Sequence, residues 1–555
     1  MVLKKTSLST TLFGSNSGAQ TKTATADVGQ DEHDNENTLR KGKGKDASVE
    51  DGDSKIILVD FDEGDPENPK NWSKGRKWLT TFLLNVMTLT IGLSTTAYSS
   101  GIDGMVEDLG VSTELGQLGL FMFNASCAIA PLFLAPFCEL TGRRVVYVSA
   151  FGAFTLVTLM LVFGKNIETI LIGRLLQGLS GAVGTILVGG TFSDIHDDAE
   201  RALPTSIFTF CAIISTVGAP LYAQYIAQYT EPGWRWIERV QIILSGLVFL
   251  LEALLFKETR GSAILAARAK KLRKDTGDDR FRAPGEVEKQ GLAQLFRESS
   301  LRAVTLLVKE PVVFLYGAYI ALAWGVVFLF LSVIPLTFGN LHGWTTGNIG
   351  LAYIPLIVGC FLGFFTGLWQ DWMYARKTKQ NSGVGVPEAR LYGAMIFSPL
   401  FAIGMMIFAW TGAYADVSYW GPLIAECAIL LGIYHVFLSV YSYTGDAYQD
   451  LASSAIAGQG FLRNMFAAVT PLFGTQMFNG MGIQWAGTML ALLAALLAPL
   501  PFVLFAKGET IRAKSKYAAQ NKGAAEEGLK KKRDEEASPP GLQGETEKEG
   551  GKVAV

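Results

Sequence analysis

The stretch "GRLLQGLSGAVGTILVGG", Gly173–Gly190, is apolar enough with its neighbours to cross a bilayer, yet it contains Arg174 and Gln177. On a helix at 100° per residue, Arg174, Gln177, Gly178, Gly181 and Thr185 share one arc of about 100°. Leu175, Leu176, Leu179, Val183, Ile186 and Leu187 take the other side. A lipid-facing arginine costs several kcal/mol (about 2.5 or more at the bilayer centre). The polar arc is therefore predicted to face protein or water, with the glycines leaving room for a ligand or a neighbouring helix.

The rest of the chain has the same character. Of 555 residues, 49% are hydrophobic and only 18% charged, with a mean hydropathy of +0.27. The formal net charge of −2 names no nucleic-acid partner. Charged residues crowd the two ends and the 257–310 stretch. Twelve apolar runs of spanning length lie between the ends, near 78–100, 114–137, 145–164, 168–190, 203–227, 236–256, 311–338, 348–370, 391–411, 420–442, 453–478 and 484–506. Lipid offers backbone groups no partner, so these runs are predicted to be helices and the fold all-α. The predicted organisation is a disordered N-terminal tail (1–77), a six-helix half (78–256), a basic central loop (257–310), a second six-helix half (311–506) and a C-terminal tail (507–555).

Basic residues set the orientation. With the N-terminus inside, the cytoplasmic connections hold Arg143, Arg144, Arg201, Arg376, Lys377, Lys379, Arg390 and the basic central loop. The outside connections hold little beyond Lys165 and Arg235. Both termini are thus expected in the cytoplasm. "CELTGRR" after the second run and "QDWMYARK" after the eighth echo each other, a carboxylate (Glu139, Asp371) preceding basic residues by four or five positions. This echo suggests two related halves.

Other runs repeat the polar stripe. Gln459, Arg463, Thr470 and Gly474 share an arc in the eleventh; Thr81, Asn85, Thr88, Gly92 and Thr96 do in the first. His435, Ser439 and Ser442 align in the tenth, and Gln241, Ser245 and Glu252 in the sixth. Converging stripes would make a water-filled path. The candidate substrate and proton path is Asn85, Arg174, Gln177, Gln241, His435, Gln459 and Arg463. The candidate gate is Glu139, Arg143, Arg144 and Asp194, with Arg144 expected to pair with Asp194. The plain alternative is that the arginines are structural cations and His435 a satisfied buried histidine. Glu238 and Glu252, near helix ends, are expected to reach the membrane interface, and Glu426 projects away from His435.

Enzyme signatures are missing. There is no HExxH, no GxxxxGK[ST] loop to cradle ATP phosphates and no GxSxG elbow. The five cysteines have no paired spacing. No catalytic residue, cofactor or metal is expected.

Several motifs resemble the fungal drug:proton antiporter family 1 of the major facilitator superfamily, the twelve-spanner group. They are "DPENPKNWSKGRKW" (65–78), "CELTGRR", "GRLLQG", "GWRWIERVQ", "KETRG", "FLRNMFAAVTPLFGTQMFNGMGIQWAGTMLA" and "IRAKSKYA", in family order across most of the membrane region. The sequence departs from the family pattern in the 2–3 loop at Ala135, Glu139 and Leu140. In "GAPLYAQY" of the fifth run it departs at Ala219 and Ala223–Gln224. The resemblance implies a monomeric plasma-membrane transporter that exports a small organic compound by proton exchange, with substrate, protons and lipid as its partners. The core charges favour an anionic or neutral cargo, such as an itaconate-type dicarboxylate or another secondary metabolite. Alternatives are a multidrug or polyamine exporter, a proton-coupled uptake symporter, or a non-transporting membrane sensor.

Overall fold

The computed structural model describes residues 56–185, 187–197, 200–287, 292–381 and 384–518, with the side chains of 135, 136, 139, 140, 292–299 and 450 outside that description. Twelve long helical passes run through it. Ten contain an apolar stretch of spanning length: α1 (Lys74–Leu109), α2 (Thr113–Leu134), α3 (Arg143–Phe163), α4 (Ile167–Ile195), α5 (Ala202–Tyr229), α7 (Pro311–Leu341), α8 (Thr346–Gln380), α9 (Pro387–Thr411), α10 (Trp420–Tyr448) and α12 (Ile483–Lys514). The other two are long enough but more polar: α6 (Gly233–Leu255), with four charged residues, and α11 (Ala452–Met481), with Arg463 and several glycine, serine, asparagine and glutamine residues. Each pass overlaps its predicted run, but α1, α8 and α12 continue eight to ten residues beyond it. Every backbone group in such a segment must bond within the segment, and only a helix does that alone.

Successive passes alternate in direction. Residues 56–73, the 257–310 segment and the end of α12 therefore share one face of the bundle, called the terminal face below; the opposite one is the far face. The apolar cores divide at 257–310. Leu84, Phe123, Phe151, Val188 and Val248 belong to a cluster drawn from α1–α6, whereas Val313, Ile320, Phe401, Ile429 and Leu490 belong to one drawn mainly from α7–α12. Gly178 fixes the α2–α4 approach, because a Cβ there would collide with the Phe123 carbonyl and the Ser126 hydroxyl.

α4 departs from the even helix assumed for it. A 3-10 turn over Ala182–Gly184 tightens its winding, so the apolar face rotates beyond it. Leu175, Leu176 and Leu179 are exposed as expected, but Val183 and Leu187 are buried.

The ends are more ordered than the sequence suggests. β1 (Ile57–Leu58) pairs in parallel with β2 (Phe281–Arg282). Arg268 binds Asp65 and Glu67 at 2.7 Å, and Arg273 binds Glu286 at 2.9 Å. The 257–310 segment also contains helices Gly261–Thr276 and Leu292–Lys309. The second packs on α11, where Gly458 meets the Ala303 carbonyl. α12 continues into the supposed tail because Arg512 bonds Glu388 and Tyr443, while Ser515 bonds Glu310. Residues 1–55 and 519–555, read as tails, lie outside the described residues.

This clip should be acid-labile. The hydrogen bond from Arg273 holds Glu286 down at about 2, against an ordinary value of 4.5. A carboxylate with a depressed folded value stabilises above its unfolded value and stops doing so as pH falls through the folded one. Hydrogen exchange at the Ile57 and Val59 amides, corrected for intrinsic rate, should stay slow down to pH 4.5 and quicken between 4.5 and 2. Equal loss of protection above that window would remove Glu286 as the cause.

Candidate functional site

Arg174 is fully buried, and four of its donor contacts go to neutral acceptors. It donates to the carbonyls of Ser94 (3.2 Å), Thr95 (3.1 Å) and Gly119 (3.3 Å) and to Gln177 Oε1 (2.8 Å). The Tyr98 and Phe123 rings each lie 4.4 Å from its guanidinium carbon. The α1 carbonyls are available because α1 tightens into a 3-10 turn over Tyr98–Gly101, which interrupts the i→i−4 ladder. Gln177 passes the contact on, donating to Ser94 Oγ and to Thr158 Oγ1 of α3. In this conformation the opening stripe is thus a hydrogen-bonded joint among α1–α4.

Arg463 is placed differently. It donates to Tyr441 Oη (2.6 Å) and Asn464 Oδ1 (3.0 Å), with its guanidinium carbon 5.6 Å from the Trp324 and Phe437 rings. Among the described residues no carboxylate pairs with it. The next residue, Asn464, donates across the seam between halves to the Cys127 carbonyl of α2 (3.3 Å). Cys127 also lies within electrostatic reach of both guanidiniums. The two arginines therefore approach α2 from opposite halves.

The other candidates scatter. Gln459 joins α11 to Val313 of α7 and Thr444 of α10. Gln241 donates to Tyr222 Oη, and Asn85 donates to its own helix at the Thr81 carbonyl. The Gln241 Oε1 and Asn85 Oδ1 atoms are buried without a partner. His435 is 2.8 Å from Thr366 Oγ1 and stacked on Phe397 at 4.5 Å, so its contacts come from α8–α10. Burial corrects the expectation for two acids: Glu238 is 3% and Glu252 0% exposed. They share the inward face of α6 with Trp234, Gln241, Ser245 and Val248, and helical spacing outweighs nearness to an end.

The terminal face holds matching ion pairs. Arg143 Nε binds Asp194 Oδ2 at 3.0 Å, and Arg390 Nε binds Asp446 Oδ2 at 3.0 Å. Each arginine lies in the first turn of the third helix of its half, and each aspartate in the last turn of the fourth. Arg143, not the expected Arg144, takes Asp194. Arg143 points inward at 7% exposure, whereas Arg144, 100° further round, reaches the Ala253 carbonyl. Arg260 binds the second Asp194 oxygen at 3.1 Å, and Asp371 joins Arg390 at 3.4 Å. Glu258 accepts from the backbone N–H groups of Arg143, Arg144, Thr259 and Arg260, capping α3. The Glu139 side chain lies outside the described residues. Glu258 and Arg260 are not in the candidate gate, whereas Asp446, at this end of α10, reads from sequence as a helix-capping or gating residue. The signal for the first two was the "KETRG" motif, and for Asp446 the echo between halves carried one helix further.

Along α5 and α8 the halves touch at both ends. Ser206 Oγ donates to Asp371 Oδ2 at 2.8 Å near the terminal face. The Gly347 amide donates to Gln228 Oε1 near the far face. Among the described residues no cluster of histidine, cysteine and carboxylate could hold a metal ion.

Residues 84–464 match the sequence profile of the Major Facilitator Superfamily. The chain belongs to that superfamily. It is 30% identical to the transporter paaT of Penicillium rubens, over 83% of this chain and 84% of that protein. It is 33% identical to the multidrug transporter TPO1_1 of Candida glabrata, over 83% and 81%. It is 31% identical to the MFS-type transporter kojT of Aspergillus flavus, over 83% and 82%. The xylose transporter XylE of E. coli, solved in a partially occluded inward-open state, superposes with a TM-score of 0.54. At 14% identity it covers 78% of this chain and 98% of that one, a likeness of fold. The chain is a multi-pass membrane transporter with the twelve-helix superfamily architecture.

Proposed function

We propose that this superfamily member exports a small organic compound across the plasma membrane in exchange for protons, with an organic acid of the itaconate type the favoured cargo. Arg463 carries this reading: a cation at the seam between halves, bonded to neutral groups. An arginine keeps its charge in apolar surroundings and binds carboxylate bidentately. Burying a polycation would instead call for inward carboxylates near this site. The aromatic pair Trp324 and Phe437 beside Arg463 suits a cargo with an apolar body, so a neutral secondary metabolite is the second reading.

In this proposal the terminal face is cytoplasmic, given its basic connections, and the halves rock about the Arg463 region. The Arg143–Asp194–Arg260 and Arg390–Asp446–Asp371 clusters hold that face closed. Asp194→Asn and Asp446→Asn should each loosen it, because an inward-facing arginine loses its shorter, partly buried ion pair. A single cysteine at Ser206, in an otherwise cysteine-free protein, should then react severalfold faster with a membrane-impermeant maleimide from that side. Unchanged labelling in both variants would refute the gate.

Cargo class is tested by overexpression, comparing organic-acid secretion with polyamine and cationic-drug tolerance. Raised polyamine tolerance with unchanged acid secretion would overturn the organic-acid reading.

A further inference from the structure

Among the described residues, three carboxyl groups lie buried within the passes: Glu238 and Glu252 on α6 and Glu426 on α10. All have an oxygen without a hydrogen-bond partner. Glu238 has, in addition, a cavity beside it and a counter-charge. The cavity, about 10 Å³, lies toward the far face and is lined by Tyr98, Gly101, Met105, Trp234, Ile237 and Glu238. That is about the space one water needs. Glu238 is 3% exposed, and its Oε2 is unpartnered.

The charges around it are few. Arg174 of α4 acts on Glu238, and no other carboxylate acts on Arg174 among the described residues. Tyr98, after the first stretch of α1, and Tyr222 of α5 are the other titratable groups in reach. Residues 148–163 of α3 contain no ionisable side chain. On the short helix Ile102–Leu109, Asp108 is taken by Arg235 and Trp234 at the surface, and Asp103 and Glu107 are exposed. On α6 itself, Arg239 lies over the Trp236 ring.

We propose that Glu238 is the proton-carrying carboxyl of the N-terminal half, loaded through the small far-face cavity it lines and balanced against Arg174. One proton adds to a carboxylate oxygen of Glu238 and later leaves it; no other bond changes. Ionised, Glu238 offsets the Arg174 charge. Protonated, it leaves Arg174 held only by carbonyls, Gln177 and two ring faces. The charge buried between α4 and α6 thus changes by one, which lets proton occupancy bias conformation. Among the described residues no charged group acts on Glu252 or Glu426, so their protonation is not tied to a partner charge there.

This inference deepens the proton-exchange reading and rests on it for its purpose, but protonation can be measured without transport. The test is infrared difference spectroscopy of the full-length detergent-solubilised protein across a pH titration, following the carbonyl stretch of a protonated carboxyl. Glu238→Gln should lose one titrating band that Glu252→Gln and Glu426→Gln retain. Glu238→Asp, which keeps the acid on a shorter chain, should move that band's midpoint by at least about half a pH unit. It also serves if the glutamine variant fails to fold. A full titrating signal in Glu238→Gln, or an unmoved midpoint in Glu238→Asp, would overturn the assignment. If the Glu238 band titrates while flux ignores a pH gradient, the proton site stands and the exchange reading falls.

Discussion

Arg463→Leu should cut transport by about 10- to 150-fold while the protein still folds and reaches the membrane. A charge-assisted hydrogen bond to a bound group contributes about 1.5–3 kcal/mol, which sets that range. Its loss leaves few orphans, because Tyr441 can still donate as a hydroxyl and Asn464 keeps its bond to the Cys127 carbonyl. Arg463→Lys should recover only part of the activity, since an ammonium lacks the planar fork. Flux into proteoliposomes, normalised to folded protein by size-exclusion chromatography, is the measurement. Normal flux in both variants would make Arg463 a structural cation.

Arg174→Leu should fail differently, at folding. The change strands the carbonyls of Ser94 and Thr95 and the Oε1 of Gln177 in a closed apolar joint, while the Gly119 carbonyl keeps its own helical bond. Each buried acceptor left unsatisfied costs about 1–3 kcal/mol, so the total rivals the stability of a typical domain. Arg174→Lys should also destabilise, because an ammonium has three donors and cannot span this acceptor set. The expected result is a large drop in folded yield and in thermal midpoint for both variants. A stable Arg174→Leu protein that merely fails to transport would contradict the structural joint and return Arg174 to the path.

The contrast between these arginines marks where sequence stops being legible. Both sit on polar stripes among glycines, so their inward direction and the helical passes follow from periodicity and the cost of charge in lipid. What they bond does not. The Ser94 and Thr95 carbonyls are free only because α1 tightens at Tyr98–Gly101, a local geometry that periodicity does not report. Asp194 chose Arg143 over Arg144 for a similar reason: neighbours on a helix point 100° apart, and the phase of α3 is set by packing. Glu238 and Glu252 show the converse case. Helical spacing puts both on the buried face with Gln241, and that spacing outweighs nearness to a helix end. The strand pair β1–β2 joins segments over two hundred residues apart, a pairing that two strands of two residues each do not announce.

Proton-coupled flux of an organic acid is the most direct measurement. Full-length protein in proteoliposomes, with an acidic lumen and labelled itaconate outside, should accumulate label as protons leave. A protonophore should abolish that accumulation, and Arg463→Leu should reduce it. Itaconate entry indifferent to collapse of the pH gradient would contradict proton exchange. No itaconate entry, with gradient-driven entry of a labelled polyamine, would contradict the proposed cargo.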